Sequence, residues 1–157
     1  MKENLAAAFV LMSGWKFSTP LIDPFCGSGT IPIEAALIAK NIAPGLMRMR
    51  ATGFAFQGRS WYDQSLTTQA MDNADARIML TKTHTIIGYD NDAQMISSAQ
   101  NNAKQAGVID YIHFSRKEFP GSIQSLIIHD TNDETAALDT DKIAIVSNPP
   151  YGCLLYT

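Results

Sequence analysis

The junction at residues 20–30 constrains the fold of this chain more than any other segment. Residues 20–23 form a short apolar run typical of a buried strand, and a helical pattern begins at Thr30. Between them lie Gly27 and Gly29, which allow the backbone to turn sharply and to approach a ligand without an intervening Cβ. A strand that runs through a glycine turn into a helix is typical of an alternating α/β sheet.

The remaining patterns continue this alternation of strands and helices. Helices are predicted over residues 4–13, over residues 30–40 and between the cap Asp92 and Gly107; further strands are predicted at residues 84–89, 111–114 and 142–147. The last of these carries consecutive β-branched residues, as a central parallel strand does. We therefore expect a Rossmann-like α/β fold, with a doubly wound, mainly parallel sheet in one domain over residues 1–157.

Composition excludes several classes of protein. The 157 residues are 46% hydrophobic and 17% charged, which suits a packed core and excludes a disordered chain. The net charge of -3 disfavours a free-standing nucleic-acid binder, so any such contact must be local or belong to another domain. Cys26 and Cys153 lie far apart, which predicts neither a disulfide framework nor a zinc knuckle and indicates a reducing cytoplasm. No apolar run approaches the length of a membrane span.

The glycine turn does not match either common nucleotide motif. A phosphate-binding P-loop requires Gly-Lys followed by Ser or Thr, and the chain contains no such sequence. A dinucleotide fingerprint requires a small residue where Pro32 stands, and an acid in the segment 35–62, which has none. Both hypotheses are therefore rejected.

Two acids border the turn and predict a different ligand. Asp23 precedes it, and Asp90 follows the next strand, where a carboxylate accepts hydrogen bonds from both hydroxyls of a ribose. A glycine turn preceded by an acid suits a ligand with an amine or another cation, and S-adenosylmethionine has both an ammonium and a sulfonium. The alternatives stay open: Asp90 as a turn former and Asp23 as a loop cap.

Residues 147–152, Ser-Asn-Pro-Pro-Tyr-Gly, are the most specific motif in the chain. Pro149 and Pro150 end the fourth strand rigidly and present their neighbours at the carboxyl edge of the sheet. There the Asn148 side chain and the Pro149 carbonyl can accept both hydrogens of an exocyclic base amine, while Tyr151 offers a face for an extruded base. The alternative is an ordinary Pro-Pro-Tyr turn.

Four motifs occur in a fixed order at residues 23–30, 41–45, 88–90 and 147–152. Together they resemble the methyltransferase domain of the bacterial large-subunit rRNA guanine-N2 methyltransferases. This THUMP-associated family is often labelled N6-adenine-specific DNA methylase. The resemblance covers nearly the whole chain and implies a Rossmann-like methyltransferase fold that uses S-adenosylmethionine and no metal.

The resemblance also implies roles for particular residues. Asn148, Pro149, Pro150 and Tyr151 would hold the acceptor amine. Glu118 would contact the adenine of the cofactor, at a position where the family usually has Asp. The implied cofactor-binding residues are Asp23, Pro24, Phe25, Cys26, Gly27, Ser28, Gly29, Thr30, Asp90, Asn91, Glu118 and Asn148.

The chain departs from the family pattern at both ends. An N-terminal RNA-binding THUMP domain is absent, and only five residues follow Gly152, where the family has three further strands. We therefore expect a domain fragment that is incomplete at the C-terminus. Because its fourth strand would expose an unpaired apolar edge, we expect a partner chain or the missing segment to cover that edge.

The expected activity is methyl transfer to the N2 amine of a guanine in large-subunit rRNA. Two alternatives remain: an adenine-N6 methyltransferase acting on DNA or RNA, and a non-catalytic cofactor-binding or interaction fragment. Three histidines are expected to be structural, and the acidic residues 130–141 to form a solvated loop. A basic, aromatic stretch is a candidate RNA contact, the alternative being a packed excursion over the sheet; it contains Arg48, Arg50, Phe54, Phe56, Arg59 and Trp61.

Overall fold

A computed structural model describes residues 1–79, 85–118 and 143–150 of the chain. The described strands are β1 (Leu21–Asp23), β2 (Ile86–Asp90), β3 (Ile112–Arg116) and β4 (Ala144–Ile145). The described α-helices are α1 (Glu3–Met12), α2 (Thr30–Ala39), α3 (Leu46–Ala51), α4 (Gln64–Asp75) and α5 (Ala93–Gln105). Among these residues no helix combines the length and apolarity needed to cross a membrane.

The four strands form one parallel sheet in the order β3-β2-β1-β4. Asp90 pairs with Arg116, so β2 and β3 end level, whereas Asp23 pairs with Gly88, so β1 ends two residues earlier at the same edge. All three residues of β1 are buried. This order and direction confirm the predicted doubly wound α/β sheet.

The chain divides into two compact units, Met1–Ala36 with Lys82–Thr157, and Leu37–Thr81. The first unit contains the whole described sheet together with α1 and α5. The second contains α3, α4 and a short 3₁₀ helix, Ala55–Gly58. The sequence patterns did not predict α3 or α4, and the single domain over residues 1–157 stays a prediction.

The boundaries of α5 follow from its capping residues. The Asp92 carboxylate accepts a hydrogen bond of 2.7 Å from the Gln94 N–H, as predicted for its N-cap. Gly107 follows the helix with φ +71, the left-handed conformation that ends many helices. Between them Ile96, Ala99 and Ala103 are buried, and the helix packs against β2 and β3.

The predicted strands are present with shifted ends. The second strand extends one residue further than predicted, so that Asp90 is itself the last residue of β2, and the third extends two residues further, to Arg116. The fourth is reduced to Ala144–Ile145, flanked by hydrogen bonds from Ala144 N–H to the Pro20 carbonyl and from Val146 N–H to the Ile22 carbonyl. β4 is an edge of the described sheet, and its expected covering partner stays a prediction.

Gly88 in β2 determines how closely Phe114 of β3 can pack. A Cβ at position 88 would lie 2.8 Å from two ring carbons of Phe114 and 3.2 Å from the Cβ of Cys26. Glycine is therefore required here because the ring occupies the space of a side chain.

We expect Gly88→Ala to lower the free energy of unfolding by about 1–3 kcal/mol, since the added methyl group overpacks the sheet. Urea denaturation followed by circular dichroism measures the loss. Gly58→Ala is the matched control, because a Cβ at position 58 meets nothing within 4 Å. Adding Phe114→Leu should recover part of the loss, and fully additive effects would contradict this contact.

Candidate functional site

The carboxyl edge of the sheet brings together residues from three of the sequence motifs. Asp23 ends β1, Asp90 ends β2, and Ser147 and Asn148 follow β4. Glu118 follows β3 at the same edge, two residues beyond the end of the strand. Open α/β sheets bind ligands at the carboxyl ends of their strands, and the candidate site residues meet at this edge as the sequence analysis expected.

The glycine turn is hydrogen-bonded to the end of β2. The Cys26 N–H donates to the Tyr89 carbonyl at 2.8 Å, and the Gly27 N–H donates to Oδ2 of Asp90 at 2.9 Å. These two bonds hold the turn beside the carboxylate that was predicted to bind a ribose.

The two glycines of the turn serve different purposes. Gly27 has φ +53, and a Cβ on it would meet nothing within 4 Å. The space beside its Cα is therefore open, and a ligand can approach the backbone there. Gly29 has φ +84, and a Cβ on it would lie 2.9 Å from the Cβ of Ala99. Gly29 therefore permits close packing against α5, whereas Gly27 leaves the turn accessible.

Asp90 forms the turn that was considered for it as an alternative, and its role in binding a ribose stays a prediction. Its Oδ1 accepts from the Asp92 N–H at 2.9 Å, which forms the turn into α5. Its Oδ2 accepts from the glycine turn. A carboxylate has about four acceptor positions, so two such bonds leave capacity for the hydroxyls of a ligand.

Asp23 connects the ends of β1 and β4. It is only 1% exposed, and its Oδ1 accepts from the Phe25 N–H at 3.2 Å and from the Ser147 hydroxyl at 2.6 Å. The first bond is the loop cap considered from the sequence. The second joins Asp23 to the residue that precedes Asn148.

The environment of Asp23 raises its pKa, but not above neutral pH. Burial raises the pKa of Asp23 from 3.8 to about 6, although the hydrogen bonds from Ser147 and Phe25 oppose that rise. The negative charge of Asp90 raises it further. At neutral pH the group is therefore mostly ionised, and a nearby cation would stabilise that charge.

Cys26 is a buried thiol in the turn. Burial raises the pKa of Cys26 above its ordinary value, and the charges of Asp23 and Asp90 add to the rise. The protonated thiol is a poor nucleophile, so Cys26 contributes its backbone and its packing rather than covalent chemistry.

The other predicted site residues differ in exposure. Pro24 is buried, whereas Phe25 and Thr30 are half-buried. The exposed members are Ser28, Asn91, Glu118, Asn148, Pro149 and Pro150. Tyr151 lies outside the described residues, and the individual binding roles of all these residues stay predictions.

Two residues that hydrogen-bond within the candidate site were given no role in the sequence analysis. Asn102 of α5 donates from Nδ2 to the Ser28 carbonyl at 2.9 Å, and Ser147 donates to Asp23. No periodicity marks Asn102, because it lies 74 positions from its partner along the chain. Ser147 stood inside a recognised motif, which was the only available signal.

The histidines do not join this edge in the part of the chain that the structure describes. His113 lies exposed within β3, while His84, His129 and the acidic residues 130–141 lie outside the described ranges. Within residues 1–79, 85–118 and 143–150, no three His, Cys, Asp or Glu side chains converge as a metal site.

Comparison with known proteins gives a family match over nearly the whole chain. The family model described as UPF0020, RMKL-like methyltransferase domain, matches residues 1–156. Two curated relatives, from Buchnera aphidicola and Shewanella amazonensis, are both named ribosomal RNA large subunit methyltransferase K/L. They are 38% and 40% identical over 156 residues, which cover 97% of this chain and 20% of each relative.

Solved structures agree with the fold. SMU.472, described as a methyltransferase complexed with SAH, matches with a TM-score of 0.77 and 35% identity, over 99% of this chain and 37% of that chain. A Listeria monocytogenes protein, described as a predicted N6-adenine-specific DNA methylase, matches with a TM-score of 0.78 and 38% identity. This match covers 97% of this chain and 35% of that chain. The chain thus spans a fifth of the curated relatives and just over a third of these structures.

Titration of Asp23 should make stability depend on pH. Its pKa is about 6 in the folded chain and 3.8 without burial, so the folded state binds the proton more tightly. The free energy of unfolding should therefore fall as pH rises from about 4 to 6, by about 3 kcal/mol in all.

The measurement is urea denaturation between about pH 4 and 7 for the wild type and for Asp23→Asn, which cannot titrate. The wild type should lose stability relative to the variant as pH rises. Asp110→Asn removes an exposed carboxyl and should keep the wild-type dependence. Parallel curves for the wild type and Asp23→Asn would rule out the titration of this group.

Proposed function

The chain belongs to the family of RMKL-like methyltransferase domains, and on this premise we propose that it serves methyl transfer from S-adenosylmethionine to large-subunit rRNA, at the N2 amine of a guanine. The observation that carries the proposal is the shared sheet edge. There the glycine turn is hydrogen-bonded to Asp90, and Asn148 follows the strand on the other side of β1. A cofactor site and an acceptor site at one edge are what a direct transfer between two bound molecules requires.

The residues at this edge fit S-adenosylmethionine. The open side of Gly27 admits a ligand close to the backbone, and Asp90 retains acceptor capacity for ribose hydroxyls. The charge of Asp23 favours a cationic ligand, and the N-terminus of α2 favours a carboxylate. When bound, the cofactor supplies a methyl group that its sulfonium already activates.

Asn148 is the residue best suited to hold the acceptor amine. It is exposed three residues after β4, and its amide oxygen can accept one amine hydrogen while the Pro149 carbonyl accepts the other. These bonds draw the nitrogen lone pair out of conjugation with the ring and make the amine a better nucleophile. Pro150 cannot continue strand pairing, which keeps the preceding carbonyl available.

The bond from Ser147 to Asp23 supports this role. It ties the residue before Asn148 to the end of β1, next to the glycine turn. The acceptor motif and the cofactor turn are thereby held to the same buried carboxylate. Catalysis by orientation depends on such fixed placement of the two reactants.

The nucleic-acid target has a leading candidate and a second one. The relatives named as large-subunit rRNA methyltransferases favour rRNA. The Listeria protein described as a predicted N6-adenine-specific DNA methylase favours an adenine-N6 target. Both amines require the same two hydrogen-bond acceptors, so the geometry at Asn148 serves either base.

Binding of S-adenosylhomocysteine tests the cofactor site without requiring turnover. Asp90→Asn removes the charge that the ribose hydroxyls and the Gly27 N–H would share, and we expect affinity to fall about 10- to 100-fold. Isothermal titration calorimetry provides the measurement. Asp110→Asn is the matched control and should bind as the wild type does; equal affinity for all three proteins would refute the ribose role.

Asn148→Ala tests the acceptor site. We expect turnover to fall by about 100-fold or more, because a positioned hydrogen-bond partner is lost, while affinity for S-adenosylhomocysteine is kept. Tritium transfer from labelled cofactor into undermethylated rRNA, and in parallel into DNA, measures turnover. Asn101→Ala, an exposed residue of α5, is the control.

Three results of that assay would contradict the proposal. Label in DNA alone would favour the adenine-N6 candidate. Absence of label with intact cofactor binding would indicate a non-catalytic fragment. Equal losses of turnover and cofactor affinity in Asn148→Ala would remove its assigned role.

A further inference from the structure

The second compact unit has a charge opposite to that of the rest of the chain. Residues 37–81 contain five Lys and Arg against three Asp, a net charge of +2, whereas the other residues contain seven against twelve acids, a net charge of -5. Four of the five cations are exposed, namely Arg48, Arg50, Arg59 and Arg77. A polyanion would therefore be attracted to this unit and repelled from the rest.

Three aromatic side chains of this unit form a row, which we call the aromatic row: Phe54, Phe56 and Trp61. The rings of Phe54 and Phe56 are 5.8 Å apart between centroids and 10° from parallel. Those of Phe56 and Trp61 are 6.4 Å apart and 13° from parallel. Trp61 is 71% exposed and Phe56 38%, so the row reaches solvent with nearly parallel faces.

The loop that carries the row is held by specific contacts. Gln57 accepts a hydrogen bond of 2.6 Å from the Phe54 N–H through Oε1 and donates from Nε2 to the Tyr62 hydroxyl at 3.3 Å. Gly53 has φ +70, and a Cβ on it would lie 2.0 Å from Gln57 Oε1. Because the loop is ordered before binding, stacking a ligand on it costs less conformational entropy.

Arginine side chains accompany the row. The Arg48 guanidinium lies over the Phe54 ring, 5.1 Å from its centroid. Arg59 lies between Phe56 and Trp61 in the chain and is exposed, whereas Arg50 pairs with Asp75. Arg48 and Arg59 therefore place positive charge beside exposed aromatic faces, a combination found where proteins bind single-stranded nucleic acid.

Phe54 and Phe56 also line an open apolar pocket of about 320 Å³. Met49, Leu66 and Met71 contribute to its lining, so these two rings pack against apolar neighbours as well as belonging to the row. Their partial burial is explained by this packing. The exposure of Trp61 is not, since Trp61 does not line the pocket.

We propose that the aromatic row, with Arg48 and Arg59, is a binding surface for unpaired bases of single-stranded RNA. The row would stack on the bases, and the two arginines would contact the phosphates. This rests on the proposed function, since it names the surface that grips the RNA substrate. Unpaired bases are required because bases within a duplex do not expose their faces.

Trp61 provides a direct probe of this contact. The chain has two tryptophans, and Trp15 is 8% exposed, with its Nε1 donating to the Thr19 carbonyl at 2.8 Å. Titration with a single-stranded oligouridylate of about twelve nucleotides should quench the fluorescence of Trp61 and leave the emission of Trp15 unchanged. A perfectly paired RNA duplex of equal length should quench little.

Variants separate stacking from charge. Trp61→Ala should weaken oligouridylate binding about 5- to 100-fold, measured by anisotropy of labelled RNA, while Trp61→Phe should largely retain it. Arg59→Gln and Arg48→Gln should each reduce the slope of log affinity against log salt by about 0.7. Lys104→Gln, an exposed cation of α5, should leave the slope unchanged.

Several results would overturn the proposal. These are RNA binding with no change in Trp61 fluorescence, equal affinity of wild type and Trp61→Ala, and no RNA binding at low salt. Self-association of the wild type that Trp61→Ala abolishes would assign the row to a protein contact instead. Trp15 emission and circular dichroism of each variant report whether it is folded.

The proposed function is tested separately. S-adenosylhomocysteine affinity should be the same in the wild type and Trp61→Ala, because Trp61 is not part of the cofactor site. If the wild type binds the cofactor but shows no stacking of RNA on Trp61, only the proposal for the aromatic row is refuted. Absence of cofactor binding in the wild type would refute the proposed function whatever the RNA result.

Discussion

The hydrogen bond between the Gly27 N–H and Asp90 is the interaction on which the candidate site depends. It joins the turn after β1 to the last residue of β2, at an edge where β1 has ended and Asp90 pairs only with β3. The bond from the Gly29 N–H to the Cys26 carbonyl closes the turn on itself, but its placement against β2 must be set by a neighbour. Asp90 does so with one carboxylate oxygen and with the other begins the turn into α5. The glycine turn of the candidate site and the start of the following helix thus share one side chain as a hydrogen-bond acceptor.

A second carboxylate extends the same arrangement to β4. Asp23 is buried, yet it accepts from the backbone of the glycine turn and from Ser147. Burial disfavours its charge, while these donors and any cationic ligand favour it, so its charged and neutral forms are balanced near its pKa of about 6. The carboxyl edge therefore holds two acids with different tasks. Asp90 shapes the turn and keeps acceptor capacity, whereas Asp23 links the glycine turn to Ser147, the residue before Asn148.

The elements that sequence patterns predicted well are those with strong local causes. The cap Asp92, the buried face of α5 and Gly107 all belong to one helix and its two ends, and each was predicted from local residue types and spacing. The helices α3 and α4 were not predicted. Leu66, Ala70, Met71 and Ala74 do recur at helical spacing in α4, but most residues of the helix are exposed, and only tertiary contacts show that these four line one pocket with Phe54. The same holds for the aromatic row, whose parallel rings depend on how Gln57 and Gly53 shape a loop.

By itself the amino-acid sequence determined the class of fold and the order of the motifs, because strand-turn-helix periodicity and residues such as Gly27 and Pro149 act through local backbone geometry. It also placed Asp23, Asp90 and Asn148 at one edge, since parallel strands share their carboxyl ends. Only the tertiary structure decided which partners these residues have: Gly27 for Asp90, Ser147 for Asp23, and the ring of Phe114 for Gly88. Such contacts join residues far apart in the chain, and their geometry follows from the packing of the whole sheet.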